Sequence, residues 1–333
     1  MPATSLLLLL LAQSPLEQGL AQFHRGEYTA ALRALESAAD SPHRSVFLAL
    51  ARAATGGCEA ASPSLAALFE SVPDADLRRL AGLGLSQCLL ARGRIDEAAP
   101  VLARLRSLYP ADPDVIYQTA RLHHRAWNDA VFQLFQNAAA SFRVNQLSAE
   151  IFELQGKYPE AIAEYRKAIE KNPAALNLHY RLGRALLMET HSSETLASAR
   201  REFEAELALN PGDAIAHFQI GQILVAQQQP DEAAQRFERA LEIQRDFPEA
   251  QLALARLRLQ AGRNDESIAL LEQAIRAQPK NEAAHYSLML AYRNAGRAAD
   301  AARVKAGLDK LQRPPEGEFT EFLKRLGEKT PRP

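Results

Sequence analysis

Neither sign of charge is in excess in this chain: 39 Lys and Arg stand against 40 Asp and Glu, a formal net charge of −1. Phosphate-backbone binding needs a basic face, so bulk charge offers no case for a nucleic-acid partner and none is expected. Like charges form no run, and the last forty residues lean only slightly basic. β-Branched residues are sparse beside alanine and leucine, which disfavours sheet. The signatures of common catalysis are missing as well. There is no His-Glu-x-x-His, no Gly-Lys-Ser/Thr phosphate loop and no Gly-x-Ser-x-Gly elbow. Gly82-Leu83-Gly84 lies inside a helical pattern and lacks the third glycine of a dinucleotide fingerprint. The expectation is a non-enzyme without cofactor or metal.

No apolar run is long enough to cross a bilayer. The longest, Leu6 to Leu11 with Ala12, precedes Gln13-Ser14-Pro15 and has the length of a secretory signal core. No Lys or Arg precedes it, and no Cys follows it to take a lipid. Residues 1–14 are read as a signal-like leader, implying a periplasmic or secreted protein; the alternative is a cytoplasmic protein whose first repeat starts with leucines.

What is present is a repeat. Ala161, Ala199, Ala233, Ser267 and Ala301 are small residues spaced by 38, 34, 34 and 34 positions. Four residues after the first four come Tyr165, Phe203, Phe237 and Leu271; Lys305 breaks the pattern. Small residues let antiparallel helices approach, and the bulky ones fill the groove so opened. Gly156, Gly262 and Gly296 stand where a left-handed residue closes a first helix. Asp231-Glu232 and Asp265-Glu266 then open a second helix, carboxylates suiting its positive end. Pro173, Pro211 and Pro279 stop it. These acids are therefore helix-end residues, not a catalytic pair.

A 34-residue period of this kind resembles the tetratricopeptide repeat family, most clearly at Gly156-Lys157-Tyr158-Pro159-Glu160-Ala161-Ile162. Earlier stretches, Gly93 to Pro110 and Gly26-Glu27-Tyr28-Thr29-Ala30-Ala31, fit too. The resemblance implies an all-α, right-handed α-solenoid of about nine helix–turn–helix repeats. Divergent repeats occupy 15–141 and clear ones 142–312. The unit at 113–141 is about five residues short and the one at 176–213 about four long, with a longer turn expected at Thr190 to Thr195. After Leu311, Phe319, Phe322, Leu323 and Leu326 share a face of an expected capping helix within 313–333.

His179, His217 and His285 recur at one repeat position, but on separate repeats. Helices pack roughly 10 Å apart, too far for metal bonds of about 2 Å, so packing or hydrogen bonding is expected. His123-His124 diverge on a helix.

More suggestive is the first helix of each unit. Tyr117, Tyr180, Phe218 and Tyr286 share one position, with Gln146 and Leu252 replacing the aromatic in the other units. Four residues on come Arg121, Arg184 and Arg256, with Gln222 in one unit and Glu150 in another, and Arg293 joins the stripe at its end. Such pairs share a helix face, and in the family that face lines the groove. Aromatics and arginines anchor binding hot spots, and arginine grips carboxylates with two bonds. A groove for a protein or peptide, acidic in character, is the expected site; a merely solvated face is the alternative. The paired lysines and asparagines of chaperone-binding members are missing. The implied function is a non-catalytic scaffold, the alternative being a regulatory or substrate-presenting subunit of an envelope enzyme complex, such as a glycosyl- or peptidoglycan-modifying one.

Cys58 and Cys88, the only two cysteines, fall in consecutive units, the former expected near the end of a first helix and the latter within the next. A bridge between them is expected if the protein is exported, and free thiols if it is not.

Overall fold

The structure, a computed structural model, describes residues 14–312. The expected capping helix and all of the leader except Ser14, which caps the first helix, lie outside them. The described residues form seventeen helices and no strand, in two compact units that divide between Ala138 and Ala139.

The first unit holds the pairs α1 (Pro15–His24) with α2 (Tyr28–Ser37), α3 (Pro42–Ala54) with α4 (Cys58–Ser71), and α5 (Ala75–Ala91) with α6 (Ile95–Leu108), then the single helix α7 (Pro113–Asn137). The second holds α8 (Phe142–Leu154) with α9 (Tyr158–Lys171), α10 (Leu178–Glu189) with α11 (Ser193–Leu209), and α12 (Ala214–Ala226) with α13 (Pro230–Ile243). Its last pairs are α14 (Pro248–Gln260) with α15 (Asn264–Ala277) and α16 (Glu282–Asn294) with α17 (Ala298–Gln312). Each unit is a short all-α solenoid in which every helix packs on its chain neighbours.

The repeat pattern is the packing pattern. Ala161, Ala199, Ala233 and Ser267 are wholly buried, as are Tyr165, Phe203 and Leu271. A methyl group added at Gly221 would stand 2.5 Å from Phe237 Cε1, and one at Gly183 2.9 Å from Phe203 Cε1. Those glycines let α12 and α10 lie directly on the rings of the following helices. Second helices α9, α11 and α15 end two residues before Pro173, Pro211 and Pro279.

Two units depart from the expectation. Residues 113–141 form no helix pair: 113–137 is one continuous helix of 25 residues. Neither a glycine nor a proline lies between Pro113 and Asn137 to end it, so the short unit lacks a turn as well as length. In the long unit the turn is only 190–192, and the extra residues lengthen α11 to 17, against 14 in α9, α13 and α15. Ser192 caps that helix by accepting from the Thr195 amide, which fixes its start early.

Candidate peptide-binding face

In the second unit, first helices α8, α10, α12, α14 and α16 carry the residues of interest. Arg184, Gln222, Arg256 and Arg293 are all exposed, while the positions between them, such as Ala185, Leu186, Ile223 and Leu257, are core. Tyr286 is 52% exposed. Tyr180 is half-buried, tilted against Phe203 with ring centres 5.7 Å apart. Burial pushes its phenol above the ordinary value, opposed by the nearby Arg184 charge.

Phe218 departs from the expected stripe. It is 7% exposed, its ring 4.9 Å from that of Phe247 and 5.7 Å from that of Phe237. Helix α12 (Ala-Ile-Ala-His-Phe-Gln-Ile-Gly-Gln-Ile-Leu-Val-Ala) is apolar on most sides, so its aromatic turns into the core and offers no contact area to a ligand. Tyr117 and Arg121 lie in the first unit, on α7; Tyr117 is 62% exposed and the Arg121 guanidinium sits 6.0 Å from its ring centre.

The arginines are tied between successive pairs. Arg184 Nη2 donates to Glu153 Oε2 at 3.2 Å and to Oε1 at 3.3 Å, and Arg256 Nε reaches Ser287 Oγ at 3.4 Å. Arg181, one turn before Arg184 and absent from the sequence-based stripe, pairs with Glu150 at 3.3 Å. Gln146 donates to the same Glu150 oxygen at 3.0 Å and accepts from Arg143 at 2.6 Å. Tyr165 reaches this cluster from below, donating to Glu153 Oε2 at 2.9 Å. Burial, with Glu153 alongside, holds its phenol far above the usual range. Three residues before Arg184, Arg181 shares its helix face but stands outside the single repeat position that defines the stripe.

Two cavities open on this face. One of about 620 Å³ is lined by Phe142, Arg143, Gln146, Asn172, Ala175, Leu176, Asn177, Tyr180, Arg181 and Arg184. The other, about 480 Å³, is lined by Glu150, Glu153, Leu154, Tyr158, Arg181, Arg184 and Met188. The loop rim of the first is held by Glu206 of α11, wholly buried, whose carboxylate accepts the Asn177 amide at 2.7 Å and the Tyr180 amide at 3.3 Å. Asn177 sits at φ 69° and supplies no side-chain cap, so Glu206 caps α10 from the neighbouring helix.

The recurrent histidines serve packing. His179 shares a hydrogen bond with Glu202 at 2.7 Å, His285 lies 3.0 Å from the Pro279 carbonyl, and His217 is buried. Among the described residues no group of His, Cys, Asp and Glu is placed to hold a metal, and no helix is long and apolar enough to cross a membrane.

In the first unit Cys58 and Cys88 are joined by a disulfide with α-carbons 5.2 Å apart. Cys58 is the first residue of the second helix α4 rather than the end of a first helix, because Gly56, at φ 92°, has already closed α3. The bridge therefore ties α4 to α5, which also pack together.

Stacked pairs of antiparallel helices, with a left-handed residue closing most first helices and small-on-large contacts between them, define the helix–turn–helix repeat class. Within it, models of the tetratricopeptide repeat match residues 48–113 and 150–188, so the chain carries tetratricopeptide repeats in both units. A model of the bacterial transcriptional activator domain matches residues 189–310. No curated protein sequence matches the chain. Similar solved structures include the MamA protein, 18% identical over 58% of this chain and 98% of its own, with a TM-score of 0.47. Another is YrrB, described as a tetratricopeptide repeat protein with an unusual peptide-binding site, 19% identical over 59% of this chain and 98% of its own, TM-score 0.47. A third is MamA from Desulfovibrio magneticus RS-1, 16% identical over 53% and 97%, TM-score 0.48.

Proposed function

We propose that the protein is a non-catalytic scaffold that captures an extended segment of a partner protein on the first-helix face of its second unit. The observation that carries this reading is the row of exposed side chains at one repeat position, Arg184, Gln222 and Arg256, continued by the exposed Arg293 three residues beyond the next such position, above a closed core. A rigid repeat surface of this kind offers anchoring groups at fixed intervals without ordering cost on its own side. The guanidiniums favour an acidic partner. Replacing Arg184 and Arg256 together by Glu is expected to weaken partner capture while the far-UV circular dichroism stays helical. Undiminished capture by that variant would remove the face from the interaction.

The site of action that suits the Cys58–Cys88 bridge is an oxidising compartment, periplasmic or extracellular, where such a bond persists. Thiol labelling of unreduced, denatured protein tests it: no free thiol supports export, two refute it. A second reading draws on the match of residues 189–310 to a bacterial transcriptional activator domain: the partner-binding part of a cytoplasmic regulator. Two free thiols, with retarded migration of duplex DNA on adding the protein, would favour it over export. The balanced charge argues against direct DNA contact.

A further inference from the structure

The two cavities beside α10 differ in character although they share a wall. The larger is lined by three guanidiniums, Arg143, Arg181 and Arg184, and by no carboxylate. The smaller holds Glu150 and Glu153, each engaged by one of the shared arginines, and beside them two apolar side chains that stand largely exposed among the described residues. Leu154 is 88% exposed and Met188 55%. Glu150 and Glu153 hold Arg181 and Arg184 on the boundary between the cavities, so the smaller cavity's negative charge is already balanced, whereas the larger keeps one surplus positive charge, that of Arg143. At the start of α10 Glu206 already occupies the amides of Asn177 and Tyr180 and places its own negative charge there. Anion recognition in the larger cavity thus falls to the side-chain guanidiniums.

We infer that this face reads a two-part signal in one extended segment: a carboxylate seated among Arg143, Arg181 and Arg184, and a neighbouring aliphatic side chain laid on Leu154 and Met188. The inference rests on the scaffold reading and specifies its ligand. The charge complementarity selects the acid. The apolar pair selects what stands next to it, since covering two exposed hydrophobic side chains is favourable only to another apolar group. Neither half is strong alone: one carboxylate on exposed arginines and one aliphatic contact each give a modest gain, so both must sit on the same chain at the right separation.

The experiment uses the full chain and twelve-residue fluorescein-labelled peptides of Ser and Gly carrying one Glu and one Leu, the two separated by one to five residues. Fluorescence anisotropy measures affinity. One separation should bind best, with Gln for Glu weakening it about tenfold and Ser for Leu weakening it severalfold. Protein variants assign the halves. Arg143→Gln should reduce the preference for Glu over Gln and leave that for Leu over Ser. Leu154→Ser should do the reverse. Both residues are exposed, and circular dichroism checks that the variants fold. The inference is overturned if no separation exceeds the Gln, Ser control, if either variant keeps both preferences, or if a labelled twelve-residue oligothymidylate binds tighter than every peptide. Should the peptides fail while Arg184→Glu with Arg256→Glu still abolishes partner capture, the two-part signal falls and the scaffold stands.

Discussion

Gln228 stands where most other repeats have glycine. Its φ is 60°, matching 71° at Gly156, 74° at Gly262 and 73° at Gly296. A side chain in the left-handed region costs roughly 1 kcal/mol that glycine does not incur. Gln228→Gly should therefore raise the unfolding midpoint of the second unit, measured by thermal melting, by the equivalent of about 1 kcal/mol; a lowered midpoint would mean that the turn is held by something other than backbone conformation. His217 makes a pH prediction. Burial, and then the positive Arg236, depress its pKa, and its Nδ1 has no partner. The unfolded chain takes up that proton near pH 6.5, the folded one only at lower pH. Stability is thus full above about pH 6.5 and declines as pH falls towards the depressed folded value. Denaturant melts at pH 7.5 and 5.5 should show a smaller difference for His217→Gln than for the parent chain, and equal differences would acquit His217.

Helix contacts were the part of the fold most readable from sequence, because each rests on a pair of residues, one small and one large, at fixed separation. Gly221→Ala puts a methyl 2.5 Å from a ring that is itself 1% exposed and has nowhere to retreat. It should cost about 1–3 kcal/mol, and more than Gly183→Ala, where the clearance is 2.9 Å; chemical denaturation of both variants decides the order. Counting repeats by period predicted helix pairs well where a turn residue was present. It failed at 113–141, where the length suggested a compressed pair and the missing glycine and proline meant none. It also mistook α11's extra residues for loop, since a polar stretch headed by a capping serine reads alike in either state. The candidate face was half legible. A shared repeat position picked out Arg184 and Arg256, but could not tell that Phe218 turns inward, which depends on Phe247 from the next loop. Nor did it find Arg143, which donates to Gln146 on its own helix, or Arg181, whose placement comes from the Glu150 carboxylate across the helix gap.

The whole chain carries its single crosslink in one of two compact units. In a repeat array each element is stabilised by its nearest neighbours, so a bond in the first unit bears mainly on that unit. Closing a loop of 30 residues removes unfolded-state entropy equivalent to roughly 4 kcal/mol in the chain-entropy treatment. Adding a reductant should accordingly lower one calorimetric transition and leave a second, from the unit beginning at Ala139, in place. A single transition that moves as a whole would show the two units melting as one.

Helix α7 ends with Trp127, Phe132 and Phe135 exposed, and Trp127 is the only tryptophan in the protein. Excited beyond the absorption of tyrosine, the chain's fluorescence therefore originates at one point, in the mostly exposed second half of α7. Emission from the free protein should be that of an indole in contact with water. A blue shift on adding any binding protein would locate that protein on α7 without a label, and accessibility to a neutral quencher would measure how completely the helix is covered.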